Sequence, residues 1–234
     1  MNSYKRISLI AGIGYLIIFF TGFFSNFYVL EGLASPLNPD AALDNIIQNE
    51  MLFRSGLFGF VLMVTADVIL AWALYILLKP VNKNLSLLSG WLRLVNGAIF
   101  AVALFNLFGM LQLAGGADYL NIFAHDELNA KVLLLRSSFD STWLIGLVFF
   151  GIHLLLLGYL IFKSGYVPKL IGVLLFFAGI GYLVDSTANF LMPNYKEYKD
   201  IFQTVVMLPG IVGELSFTIW LLVKGVRLNE VREA

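Results

Sequence analysis

Residues 57–78 read LFGFVLMVTADVILAWALYILL, and Lys79 follows at once. The stretch is apolar apart from Thr65 and one carboxylate, Asp67. As an α-helix rising 1.5 Å per residue it reaches about 33 Å, enough to cross a hydrocarbon core of roughly 30 Å. Tyr75 stands one turn before Lys79, as an aromatic and a cation do at a membrane–water interface. The stretch therefore reads as a transmembrane helix with an ionisable residue inside it.

Working outward, five further apolar blocks occupy about 7–29, 86–113, 140–162, 170–192 and 203–223. Only 13% of the chain is charged, against roughly 25% in a soluble domain. Mean hydropathy is +0.85. No linker or low-complexity segment interrupts the pattern, so 1–234 reads as one transmembrane domain. The expected fold is an all-α integral membrane bundle of six transmembrane helices. Lys5-Arg6 ahead of an apolar run, with Gly32-Leu33-Ala34 after it, imitates a signal peptide. The run exceeds the usual 7–15-residue apolar region, so it reads as a retained first span.

The absence of cysteine excludes disulfides, thiolate catalysis and Cys-ligated metals. Zero net charge and a pI of 6.7 argue against nucleic-acid binding. Lys5, Arg6, Lys79, Lys83, Lys163, Lys169, Lys224, Arg227 and Arg232 fall on one side of the six spans, against Lys131, Lys196 and Lys199 on the other. The positive-inside rule then puts both termini in the cytoplasm. In the outer loops, Asn38-Pro39-Asp40 forms a helix start with Asn38 as N-cap, and Leu43, Ile46, Ile47 and Met51 follow at amphipathic spacing. Leu120, Phe123, Ala124 and Leu128 repeat that spacing, so both segments are expected to lie along the outer interface.

Two more spans end as the first does, in Tyr159-Leu-Ile-Phe-Lys163 and Trp220-Leu-Leu-Val-Lys224. Membrane anchoring is sufficient reason for that ending. Each of the three spans also carries one ionisable residue at similar depth: Asp67 twelve residues before its lysine, His153 and Glu214 ten before theirs. That places them roughly 15–18 Å from the lysine level, near the middle of a bilayer. Ala11-Gly-Ile-Gly-Tyr-Leu16 recurs as Ala178-Gly-Ile-Gly-Tyr-Leu183, with a weaker echo at Ser89-Gly90-Trp91-Leu92. Three parallel hairpin repeats (1–2, 3–4, 5–6) account for this, and chance within a small residue alphabet is the rival account. The glycines suit close helix packing.

Ionisable groups at this depth are costly and point to a site. Arg93 and, one turn deeper, Asn96 reach the same layer, unless Arg93 snorkels to the inner surface. Two acids and one arginine leave His153 to hold a balancing proton. Asp185 and Asn189 form an i,i+4 pair farther out, as do Arg136 and Asp140; Arg54 and Arg136 mark an outer mouth. His125 reads as a solvated loop residue beside Asp126 and Glu127. Asp67, His153 and Glu214 supply the minimum ligand number for a metal, as a weak set. No HExxH, GxSxG or phosphate loop is present, and Ser186 has no histidine near it in sequence.

Four readings of the layer stand. It binds or passes a small solute, ion or lipid head group in a polar intramembrane cavity. It serves an intramembrane hydrolase or transferase through an Asp–His–Glu layer, with or without a metal. It belongs to a non-catalytic accessory or sensor subunit. Or it is a structural network that fixes helix register. The expected partners are membrane lipid and a small-molecule or ion ligand; no cofactor or oligomeric state is implied.

The chain resembles the uncharacterised bacterial multipass membrane family known as domain of unknown function 4386. The resemblance rests on Leu52-Phe53-Arg54, Leu74-Tyr-Ile-Leu-Leu-Lys-Pro-Val-Asn82, Arg93-Leu94-Val95, Phe149-Phe-Gly-Ile-His153 and Gly158-Tyr-Leu-Ile-Phe-Lys-Ser-Gly165. It continues through Tyr182-Leu-Val-Asp185, Pro193-Asn-Tyr195, Glu214-Leu-Ser216 and Trp220-Leu-Leu-Val-Lys-Gly225. It implies a bacterial cytoplasmic-membrane protein of about six spans, and no activity.

Overall fold

A computed structural model describes residues 3–35 and 38–225 of the chain. Arg227 and Arg232 lie outside the described residues. Helix α1 (Ser3–Phe23) winds into a π-helical stretch, Phe24–Leu30, and a short α2 (Glu31–Leu33). After a 3₁₀ turn come α3 (Ala42–Gln48) and α4 (Glu50–Leu78), then α5 (Lys83–Ala114), α6 (His125–Ser164), α7 (Lys169–Leu191) and α8 (Tyr195–Val223). No strand occurs among the described residues.

Six of these segments are long and apolar enough to cross a membrane: Tyr4–Leu33, Glu50–Leu78, Lys83–Ala114, His125–Ser164, Lys169–Leu191 and Tyr195–Val223. The chain is a multipass membrane protein with an all-α fold.

Several expectations change at the outer ends. Helix α6, the fourth span, is 40 residues long and takes in Leu128, where an interfacial helix was expected. Neither Gly nor Pro interrupts 125–145, so nothing there stops the helix from propagating. Leu120 instead sits in a 3₁₀ turn, Asp118–Ile122. Helix α3 forms and buries Ala42, Leu43 and Ile46, but Met51 belongs to α4 and is 78% exposed. Asn38 makes no capping hydrogen bond. The amide of Leu43 donates to Asn129 Oδ1 at 3.0 Å, while Asn129 Nδ2 donates to the Pro39 carbonyl at 3.0 Å. One amide from α6 thus satisfies backbone groups that a local cap would otherwise serve.

The chain packs as two compact units. One draws on the described parts of 1–16, 66–97 and 145–234, the other on those of 17–65 and 98–144.

In the first unit α6 and α7 approach through two glycine pairs spaced seven residues apart. A Cβ on Gly158 would lie 2.6 Å from the Gly172 carbonyl, and one on Gly172 would lie 2.7 Å from the Gly158 carbonyl. Gly179 meets the Gly151 carbonyl in the same way, at 2.7 Å. Seven residues are close to two helical turns, so both pairs share one face. Without hydrophobic drive between helices in lipid, such small-residue contact lets backbones meet and gain dispersion energy. It holds His153, two residues past Gly151, at a defined height.

In the second unit Trp143 stacks on Phe100 with centroids 3.6 Å apart, and Phe60 and Phe139 close around it at 5.4 and 5.2 Å. Such ring pairs contribute about 0.5–1.5 kcal/mol each beyond area burial.

Candidate functional site

The centre of the first unit is Arg93, on α5, with 1% exposure. Its Nη2 lies 2.6 Å from Asp67 Oδ1 on α4, an ion pair in which both side chains are buried. Its Nη1 lies 3.2 Å from His153 Nε2 on α6. A guanidinium only donates, so Nε2 accepts. The proton of His153 is then on Nδ1, which donates to the Ser89 carbonyl at 2.9 Å, with Ser89 Oγ at 3.0 Å. The imidazole is neutral, in one tautomer, with both nitrogens engaged. This corrects the expectation that His153 holds a balancing proton: the lone pair that would take it is used by Arg93. The snorkelling alternative for Arg93 also falls, since the side chain is interior.

Two rings flank the guanidinium. Its carbon lies 5.3 Å from the Tyr15 centroid and 5.5 Å from that of Phe150. Phe150 in turn meets Tyr182 edge-on at 5.2 Å, and Tyr15 meets Phe217 at 5.9 Å. Tyr15 and Tyr182 are the matching tyrosines of the repeated Ala-Gly-Ile-Gly-Tyr-Leu segment. Each copy of that segment thus contributes a tyrosine to the rings around this centre.

Glu214, on α8, is half-buried. Among the described residues no cationic nitrogen lies within 4.0 Å of its carboxylate. The backbone carbonyl of Glu214 accepts from Thr218 Oγ1 at 2.7 Å. Pro209 interrupts α8 one turn and a residue earlier and provides no N–H for the Val205 carbonyl. Asn96 is 1% exposed, and neither its Nδ2 nor its Oδ1 has a hydrogen-bond partner among the described residues; the same holds for Arg93 Nε.

The layer is therefore packed at Asp67, Arg93 and His153, while Glu214 keeps some exposure. Two grooves, of about 540 and 560 Å³, lie elsewhere in this unit, beside Lys79 and Lys163, and none of the four residues lines them. Asp67, His153 and Glu214 do not form a metal-binding cluster among the described residues. Arg93 occupies the imidazole nitrogen and the carboxylate that such a cluster would need.

The other expected pairs sort differently. Asp185 accepts from Tyr195 Oη at 2.6 Å, and exposed Asn189 is also within hydrogen-bond reach of that hydroxyl. Both residues converge on Tyr195 instead of on each other. In the second unit Arg136 Nε donates to Asp140 at 3.1 and 3.2 Å, and its Nη2 pairs with Glu31 at 2.7 Å. Arg54 pairs with Glu50 at 2.7 Å on the surface and does not join Arg136. His125 heads α6, half-exposed, 3.4 Å from Asp44. Sequence reasoning missed Tyr15, Ser89, Phe150, Tyr182, Tyr195, Glu31 and Asn129. For Tyr15 and Tyr182 the repeat carried a signal; for Asn129 none was available.

The sequence model of the family described as "Domain of unknown function (DUF4386)" matches residues 10–225. The chain belongs to this family. A protein of Archaeoglobus fulgidus described as "Uncharacterized protein" is 35% identical over 176 residues, 75% of this chain and 87% of its own length. The family match takes in every candidate site residue in both units. No solved structure matches the chain.

Proposed function

We propose that the chain is a single-domain protein of a bacterial cytoplasmic membrane, with both termini cytoplasmic, that binds a proton or a small cation within the membrane at Glu214. The observation that carries this reading is the charge arithmetic of the layer. Asp67 already neutralises Arg93, so the Glu214 carboxylate has no countercharge of its own. A lone charge at the bilayer centre costs at least about 2.5–3.5 kcal/mol. A proton or a small cation at Glu214 removes that cost, and the unpartnered amide of Asn96 adds neutral donors and acceptors to the layer. Asp67, Arg93 and His153 act as the framework that holds the layer. Orientation is supported by the nine inner lysines and arginines. The hydrolase or transferase alternative is disfavoured because His153 has no free lone pair to serve as a base.

The test compares wild type with Glu214→Gln, which keeps shape and loses charge. Purified proteins are titrated for proton uptake in detergent, then reconstituted and assayed for proton and sodium flux with indicator dyes. Wild type is expected to take up one proton more than the variant, or to show flux the variant lacks, at equal thermal stability. Equal proton uptake, together with flux no greater than in protein-free vesicles, refutes the reading.

A further inference from the structure

The groove beside Lys79 has a chemistry the Glu214 site does not use. Arg6 and Ile10 lie i,i+4 on α1, Trp72 and Ile76 lie i,i+4 on α4, and Lys79 directly follows the last residue of α4. Together with Tyr4 and Ile7 they line the 540 Å³ groove. Its two cations are exposed, and no Asp or Glu lines it. Among the described residues neither cation has an ion-pair partner.

The groove is graded along the membrane normal. Lys79 stands at the end of its span and Arg6 near the start of α1. Ile10 is four residues deeper than Arg6 and Trp72 seven deeper than Lys79, about 6 and 10 Å into the hydrocarbon. Ile10 is 36% and Trp72 50% exposed, so this wall faces lipid tails. A free phosphate would satisfy the rim and leave the apolar wall unused. A phospholipid would satisfy both.

We infer that this groove between α1 and α4 is a binding site for an anionic phospholipid, whose phosphate sits between Arg6 and Lys79 and whose acyl chain lies along Ile10, Ile76 and Trp72. Basic pockets between transmembrane helices recognise lipid head groups in this way. The second groove is less suited: its only cation, Lys163, lies 6.0 Å from the ring of Tyr159, and Asn82 and Ser164 make its wall polar. The inference does not depend on the Glu214 reading.

The chain has no cysteine, so Ile10→Cys provides a unique thiol for an environment-sensitive fluorophore, with Ile76→Cys as a second reporter. Phe177→Cys, exposed on α7 in the same unit, reports bulk lipid. The full chain is reconstituted in phosphatidylcholine vesicles containing spin-labelled phosphatidylglycerol or spin-labelled phosphatidylcholine at equal low mole fraction. Quenching at position 10 or 76 is expected to favour phosphatidylglycerol several-fold, with no such preference at 177. Arg6→Gln and Lys79→Gln should each lower the preference about fivefold, while Lys83→Gln, outside the groove, leaves it intact. The assignment is overturned by an equal preference at 10 and 177, or by a preference that persists in the Arg6→Gln/Lys79→Gln double variant. Displacement of the lipid by inorganic phosphate also overturns it, in favour of a soluble-anion site.

Discussion

Replacing Asp67 by Asn removes the only carboxylate among the described residues within ion-pair distance of Arg93 and changes little else in shape. The pair is 2.6 Å apart, and its two side chains are 1% and 4% exposed. At an effective dielectric of about 20 and charge centres about 4 Å apart, the lost attraction is about 4 kcal/mol. Breaking a buried pair by removing one partner costs about 3–5 kcal/mol, because the other charge stays buried and unpaired. Asp67→Asn is therefore expected to destabilise the protein by that amount. Arg93→Met should cost at least as much: it strands Asp67 and also removes the bond to His153 and the contacts with Tyr15 and Phe150. The double variant Asp67→Leu/Arg93→Met leaves neither member of this pair as a stranded charge and should be more stable than either single variant. Unfolding free energies from denaturing-detergent titration, combined in a double-mutant cycle, give the coupling directly. If Asp67→Asn lies within about 1 kcal/mol of wild type, or if the two single effects simply add, the Arg93–Asp67 pair does not organise this layer and the framework argument fails.

Two further outcomes follow from independent features. Single cysteines at Asn2 and Glu233, positions outside the described residues, should resist an impermeant thiol reagent in intact cells while Asp118→Cys is labelled; labelled termini would reverse the orientation. Gly172→Ala places a Cβ 2.7 Å from the Gly158 carbonyl and should cost about 1–3 kcal/mol by forcing α6 and α7 apart. Gly32→Ala, with nothing within 4 Å, is the control, and equal thermal midpoints for the two variants would show that the glycine seam is not closely packed.

That the chain holds six spans was legible in the sequence. A bilayer imposes a length of about twenty apolar residues on every crossing, and that constraint is local in sequence. The expected depth of Asp67, His153 and Glu214 came from the same ruler, since helical rise is constant and each could be measured from its terminal lysine. What a linear ruler does not carry is rotation and partner choice. Depth brought Asp67, His153 and Arg93 to one level, but only the packing of α4, α5 and α6 decided that Arg93 takes both other side chains. That choice leaves Glu214 without a countercharge and His153 without a free lone pair. Likewise Asp185 and Asn189 are neighbours on a helix face, yet the hydroxyl that engages them comes from Tyr195 at the start of α8. Arg136 pairs with Asp140 by helix periodicity and with Glu31 only because the fold returns it there. Helix periodicity is set within one segment, whereas these pairings depend on how separate segments dock, through small residues such as Gly158 and Gly172 whose contact partners no spacing rule identifies.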